Sequence, residues 1–323
     1  METTMTPAFH NNATAVSRQN NSDEYSETSL KLKSLYTTVL IIYSLAFVLG
    51  VLENGVVIWV IRFKMKKTVN TVWFLNLAVA DFLFAAFLPF YVTYAALDFH
   101  WPFGKFMCKL NSTMIYLSMF ASVYLLVVIS LDRCVSVVWP VWAKNHRNVR
   151  RASCVSLVVW VLALIFSTPY FIFRDTLRQF RYQAMAITRF LLGFAIPCTV
   201  IVSSYAVIIH RLRRNRTLAT QSSRPFKIIA AIITTFLLCF GPFHITSLLE
   251  IVYFTGNESE TLFHVIVFSY PIATSLAFLS SCLNPLLYVF MSQDFKDKVH
   301  KSVLSFQRLG NAWDDGLCSS HFP

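Results

Sequence analysis

The sequence predicts an all-α membrane protein: a bundle of seven transmembrane helices with a short amphipathic eighth helix on the cytosolic face. Three observations predict this. Of 323 residues, 56% are hydrophobic and 14% are charged, with a mean hydropathy of +0.56, whereas soluble globular domains run to about 25% charged. The apolar residues gather into seven blocks, roughly 34–61, 72–97, 107–131, 152–173, 184–209, 228–254 and 262–291, several of them longer than the ~18 residues that mark a spanning helix. Finally, seven buried helices of a soluble bundle would carry polar faces at helical period, and such faces are mostly missing here.

The net charge of +12 is an orientation signal, not a nucleic-acid footprint. Lys and Arg cluster in alternate connections: Arg62, Lys64, Lys66 and Lys67; Lys144, Arg147, Arg150 and Arg151; Arg211, Arg213, Arg214, Arg216, Arg224 and Lys227; Lys296, Lys298 and Lys301. Short basic loops stay in the cytosol. The C-terminus is therefore expected inside and, with seven spans, the N-terminus outside. The expected location is the plasma membrane.

Residues 1–33 are polar, lack an apolar signal core and read as a disordered extracellular tail. The first span is then expected to act as its own insertion signal. Asn12-Ala-Thr14 and Asn20-Asn-Ser22 are glycan acceptors in such a tail, whereas Asn215-Arg-Thr217 falls in a cytosolic loop. The transmembrane domain runs over 34–291. Span one carries Glu53 beside Asn54, and two readings stay open for this mid-span acid: a group hydrogen-bonded between helices, or a ligand-binding one. Span two carries Asn76 and Asp81, polar groups that hydrocarbon will not solvate and that must face the bundle interior.

Span three, Cys108 through Leu131, is followed at once by Asp132-Arg133-Cys134, an acid and a base placed where a helix reaches water. Span four has Trp160 and ends near Pro169; span five has Pro197 and Tyr205; span six runs Phe236-Leu-Leu-Cys-Phe-Gly-Pro242; span seven holds Asn284-Pro285-Leu-Leu-Tyr288. A proline inside a span frees a backbone carbonyl and kinks the helix. Beyond Tyr288, Phe295, Val299 and Val303 recur at four-residue spacing among charges. Residues 292–306 are thus expected to lie as an amphipathic helix on membrane lipids, with 307–323 a cytosolic tail.

Taken in order, Asn54, Asn76-x-x-x-x-Asp81, Trp101-x-Phe-Gly104, Cys108, Asp132-Arg133-Cys134, Trp160, Pro197, Tyr205, Phe236-x-x-Cys-Phe-x-Pro242 and Asn284-Pro-x-x-Tyr288 resemble the rhodopsin-class (class A) G-protein-coupled receptors. Finer stretches, among them Ser130-Leu-Asp-Arg-Cys134, Trp139-Pro-Val-Trp-Ala-Lys-Asn-His-Arg147 and Thr188-Arg-Phe190, resemble the chemoattractant branch near the chemerin and formyl-peptide receptors.

The resemblance implies a receptor that passes the binding of an extracellular ligand, peptide or acidic, to a heterotrimeric G protein of the inhibitory class, with arrestin and receptor kinases as further partners. It implies a ligand pocket of Arg189, Glu250, Tyr94, Tyr116 and Tyr270, with Arg174 and Asp175 at its rim. An Arg suits a carboxylate by its bidentate fork, although snorkelling to the headgroups is the other reading of Arg189. It implies a coupling and switch set of Asp132, Arg133, Tyr205, Phe236, Phe240, Pro242, Asn284, Pro285 and Tyr288, in which Asp132 holds Arg133 at rest. It implies no cofactor beyond a structural sodium ion at Asp81, Ser122 and Ser281, with Asn54 and Asn284 in the same polar network.

The chain departs from the pattern in four places, one of them Cys134, which replaces the more frequent Tyr. The connection after Phe173 is short and has no cysteine, and of the seven cysteines only Cys108 faces outside by this topology, so no disulfide is expected. Phe240 replaces the usual Trp, and Glu53 stands where a small residue is usual. The missing loop and bridge raise an alternative within the fold: a shortened, decayed or decoy receptor with poor signalling. A transporter is the remote alternative, disfavoured because no internal repeat is visible. The eight His are scattered without metal-ligand spacing and no nucleophile motif appears, so no enzyme is expected.

Overall fold

The computed structural model describes residues 22–98, 100–173, 179–214, 223–256 and 259–291. Nine α-helices run through them: α1 (Ser22–Lys64), α2 (Val69–Ala96), α3 (Gly104–Val138), α4 (Pro140–His146), α5 (Val149–Phe173), α6 (Gln179–Phe190), α7 (Ile196–Arg214), α8 (Ser223–Phe254) and α9 (Glu260–Met291). A π-helical turn, Leu191–Ala195, joins α6 to α7 into one rod. Seven of these rods are long and apolar enough to cross a membrane, and no strand forms among the described residues.

Each helix overruns its apolar block, because a helix nucleated in hydrocarbon extends into water at little further cost. The largest overrun corrects the reading of the tail: residues 22–33, expected disordered, continue α1. The glycan acceptors Asn12 and Asn20, the rim residues Arg174 and Asp175, the amphipathic segment 292–306 and the tail 307–323 lie outside the described residues.

Local chemistry explains the element ends. Thr68 caps α2: its hydroxyl accepts from the Thr71 amide at 3.2 Å while the Thr71 hydroxyl accepts from the Thr68 amide at 2.8 Å, a reciprocal capping box. Pro140 opens α4 at the position where a missing N–H costs nothing. The π turn precedes Pro197, whose ring would otherwise press on the carbonyl of Gly193 four residues back; the wider winding relieves that contact. At the end away from the basic connections, Trp101 donates to the Gly104 carbonyl at 2.9 Å and packs on Phe90, Phe103 and Tyr94, closing the α2–α3 connection.

The helices form a ring. α1 packs on α2 and α9, α2 on α3, α3 on α5 and α7, and α8 on α9. α2 and α3 are the most enclosed, with 56% of their most apolar windows buried, so α3 is the post around which the others stand. Polar pairs stitch the ring across hydrocarbon: Trp160 on α5 donates to Asn76 on α2 at 3.0 Å, and Tyr43 on α1 meets the Thr274 hydroxyl on α9 at 2.7 Å. Buried indole and phenol groups need such partners.

Candidate functional site

Three polar clusters follow one another down the bundle, from the end opposite the basic connections to the basic end. In the first, Arg189 closes the last turn of α6 and is buried, 6% exposed. Its guanidinium donates through Nη1 to the Tyr116 hydroxyl at 2.7 Å and through Nη2 to Ser247 Oγ at 3.0 Å. It also stands 5.6 Å from the Tyr116 ring and 4.9 Å from the Phe243 ring, within cation–π reach of both. Tyr116 is stacked on Tyr170 with ring centroids 3.6 Å apart. Arg189 thus points into the bundle and does not snorkel.

Of the other predicted pocket residues, Glu250 is buried on α8 and Tyr270 on α9 faces Phe243 at 6.3 Å. Tyr94 belongs to a different group, the aromatic set of Tyr91 and Trp101 on the α2 side. Sequence reasoning missed Ser247, Phe243, Tyr170 and His244. The α8 residues did carry a signal, since Phe243, Ser247 and Glu250 fall four and three residues apart and so share one helix face. His244 is 1% exposed, stacks on Phe194 at 5.0 Å, and has no hydrogen-bond partner on either ring nitrogen.

The second cluster lies at mid-span. Asp81 accepts from the Ser122 hydroxyl at 2.7 Å on Oδ1 and from Asn284 Nδ2 at 2.8 Å on Oδ2, joining α2, α3 and α9. Asn54 donates to the carbonyls of Gly50 at 2.9 Å and Ser281 at 3.0 Å, which brings α1 into the network. Pro285 follows Asn284 within α9. The donors are oxygens around a single carboxylate, and two further buried oxygens, Asn54 Oδ1 and Ser118 Oγ, have no hydrogen-bond partner. The Asp81 carboxylate and the Ser122 hydroxyl are oxygens of the kind a hard cation takes, and Ser281 joins the same network through its carbonyl, which accepts from Asn54.

The third cluster corrects the sequence reading. Asp132 does not hold Arg133. It is paired with Arg147, from the connection after α4, in a bidentate bridge: Nε to Oδ1 at 2.8 Å and Nη2 to Oδ2 at 2.8 Å. Arg133 instead donates to Asn70 Oδ1 on α2 at 3.1 Å, and Arg147 Nη2 also donates to that oxygen. The reason is geometric. Neighbouring residues on a helix point about 100° apart and do not face each other, whereas Arg147 approaches from another element with its whole fork. Tyr205 on α7 meets the Ser130 hydroxyl at 3.0 Å one turn above.

Between these clusters runs an aromatic column. Phe236 is 1% exposed, packs on Phe194 beside the π turn at 5.7 Å and on Phe240 at 5.5 Å, and lies on the turns of α8 that precede Pro242. Tyr288 falls in the last turn of α9. Cys239 and Cys282 are buried thiols within the bundle.

These clusters, strung along one axis of a seven-helix bundle, are the anatomy of a membrane receptor that relays a signal between its two faces. Residues 53–288 match the family model described as 7 transmembrane receptor (rhodopsin family), so the chain belongs to that family of multi-pass membrane receptors, which are not enzymes. Its relatives place it in the chemoattractant branch. It is 45% identical over 326 residues to chemerin-like receptor 1 of Rattus norvegicus, covering 91% of this chain and 85% of the relative. It is 44% identical over 316 residues to chemerin-like receptor 1 of Homo sapiens, covering 88% and 82%. It is 44% identical over 277 residues to the C3a anaphylatoxin chemotactic receptor of Danio rerio, covering 82% and 74%. It is thus a G-protein-coupled receptor of chemoattractant type, a class that implies an extracellular ligand and a G protein. Nothing in these similarities supports the shortened or decoy alternative.

Proposed function

We propose that this receptor recognises a carboxylate-bearing ligand, a peptide or an acidic molecule, at Arg189 and passes the signal to a heterotrimeric G protein of the inhibitory class. One observation carries the reading: a buried guanidinium, hydrogen-bonded to the hydroxyls of Tyr116 and Ser247 among its contacts, at the end away from the basic connections. A fork oriented in advance forms two parallel bonds to a carboxylate with little further ordering. Glu250 and Tyr270 contribute to the same vestibule, and Tyr94 to its aromatic wall on the α2 side. The basic connections face the cytosol, the N-terminal end faces outward with Asn12 and Asn20 glycosylated, and the receptor works at the plasma membrane. Ligand-driven displacement around Pro242 moves Phe236 and Phe240, and through Tyr205, Asn284, Pro285 and Tyr288 frees Arg133 for the G protein. Arrestin and receptor kinases act on the same face.

The test is nucleotide exchange on an inhibitory-class G protein, with receptor in vesicles and the protein ligands named for its relatives, chemerin and C3a, supplied as carboxylate-terminated peptides. Exchange driven by such a peptide and lost when its terminal carboxylate is amidated supports the assignment. Equal exchange by acid and amide forms removes it.

A sodium ion at Asp81, Ser122 and Ser281 belongs to the same reading; when bound it supplies a positive charge that ties α2, α3 and α9 in the resting arrangement. Anything that binds only the folded state stabilises it by mass action. Melting temperature is therefore expected to rise as sodium replaces a large organic cation at constant ionic strength, and to stay flat in Asp81→Asn. A flat wild-type profile would remove the ion from the account.

A further inference from the structure

Behind the Asp132–Arg147 bridge, the end of α3 and the short helix α4 border an open groove of about 340 Å³, lined by Ser136, Pro140, Ala143, Lys144 and Arg147. Of the guanidinium nitrogens of Arg147, Nε and Nη2 are committed to Asp132 and Asn70, while Nη1 bonds to none of the described residues. Lys144, three residues earlier and exposed, has no ion pair or hydrogen bond among the described residues. Ser136 lies on the α3 side, its hydroxyl donating to the Asp132 carbonyl at 2.7 Å. No further acid answers the local charge: between Asp132 and Asp175 the chain has no Asp or Glu, and Arg147 already neutralises Asp132. Lys144, Arg150 and Arg151 therefore leave the groove positive.

A solvated surface cation is ordinary. Arg147 is not, because the bridge to Asp132 fixes its guanidinium plane, so Nη1 can meet an oxyanion with little further ordering. Lys144 adds a compact point charge in the same groove. A fixed guanidinium edge beside an ammonium suits an anion with several oxygens and more than one charge, as a phosphate has. The volume leaves room for such a group with its waters. We propose that this groove binds a phosphate monoester on the cytosolic face, and that its occupant fastens Arg147 against Asp132. The proposal rests on the reading that the basic connections face the cytosol. Two sources supply that chemistry there: a phosphorylated inositol headgroup of the inner leaflet and a soluble inositol phosphate. Trp139, Val141 and Trp142, exposed by 60, 76 and 54%, stand at the start of α4. Indoles collect at the membrane–water boundary, so the groove lies at headgroup depth, where both sources reach it.

The test uses full-length receptor in phosphatidylcholine nanodiscs, with melting temperature as the readout. One arm adds soluble inositol trisphosphate; the other replaces part of the lipid with phosphatidylinositol bisphosphate, or with phosphatidylserine at equal negative charge. Binding to the folded state raises the melting temperature by mass action, so a rise is expected with the phosphate monoester and not with phosphatidylserine. A rise in the soluble arm assigns the free phosphate as a source, and a rise in the lipid arm alone assigns the headgroup; either supports the site. Lys144→Ala is expected to move the midpoint of that rise about fivefold toward higher concentration, and Lys144→Glu to abolish the rise. Arg150→Ala removes an equal charge outside the groove and is expected to move the midpoint by less than about twofold, since screening weakens distant charges. No rise in either arm, an equal rise with phosphatidylserine, a wild-type midpoint in Lys144→Glu, or a shift in Arg150→Ala as large as that in Lys144→Ala would each overturn the proposal. Nanodiscs leave both faces open to solvent, and the readout needs neither extracellular ligand nor G protein. Failure of this site is therefore distinct from failure of the topology or of the signalling role.

Discussion

Arg189→Ala is expected to weaken the response to a carboxylate-terminated peptide by between about thirtyfold and several thousandfold in potency, measured as nucleotide exchange with matched receptor density. Truncating one partner of a desolvated, hydrogen-bonded charge pair costs about 2–5 kcal/mol, and each 1.4 kcal/mol is tenfold in affinity. Arg189 is 6% exposed and contacts Tyr116, Ser247 and Phe243, so the ligand's carboxylate would meet it out of water. Arg189→Lys keeps the charge but loses the fork and both hydroxyl contacts at once, and should recover only part of the loss. Amidating the peptide should cost the wild type heavily and Arg189→Ala very little, because the pair is already broken. Equal sensitivity of the two receptors to amidation would mean that the carboxylate is read elsewhere.

Much of this was legible in the sequence because hydrocarbon leaves few choices. The seven spans follow from length and composition, and the inward aim of Asn54, Asp81 and Asn284 follows from the absence of any partner in lipid. Contacts that depend on where one element ends and another begins were not legible. Nothing in the order of residues says that the rod carrying Arg189 winds wide over Leu191–Ala195. Yet one extra residue in a turn rotates everything beyond it by roughly 100°, and the facing of Arg189 relative to α7 depends on that turn. Ser247 and His244 are unremarkable as letters; the pocket face of α8 gives them partners or denies them. The start of α1 at Ser22 was missed because a polar composition speaks for the tail as free peptide, not as the continuation of a helix already nucleated. The pairing of Asp132 was misread for a related reason: adjacency in sequence looked like adjacency in space.

That misreading leads to the other large expected effect. Arg133→Ala should abolish ligand-driven nucleotide exchange while leaving ligand binding and thermal stability close to wild type. Arg133 holds its place by one bond to Asn70 at 3.1 Å, its Nε is buried without a partner, and it is not the residue that fastens Asp132. Arg147→Ala should do nearly the reverse. It removes both arms of the bridge to Asp132, whose partners are only 29% and 12% exposed, and a third tie to Asn70. It should therefore lower stability by about 1–2 kcal/mol, between the values for exposed and buried pairs. A cycle with Asp132→Asn separates the two roles. If the bridge is the unit, each single substitution loses about that much and the double variant loses little more than either. Asp132→Asn leaves the bond from Arg133 to Asn70 in place, so its signalling should survive. Additive losses across the cycle would dissolve the bridge as a unit, and an Arg133→Ala receptor that still drives exchange would take the coupling role from Arg133. With the acid committed to Arg147 and Arg133 bonded to Asn70 on α2, the proposed coupling role of Arg133 predicts that readying this face for a G protein releases Arg133 from Asn70 and breaks no bond between neighbours on α3.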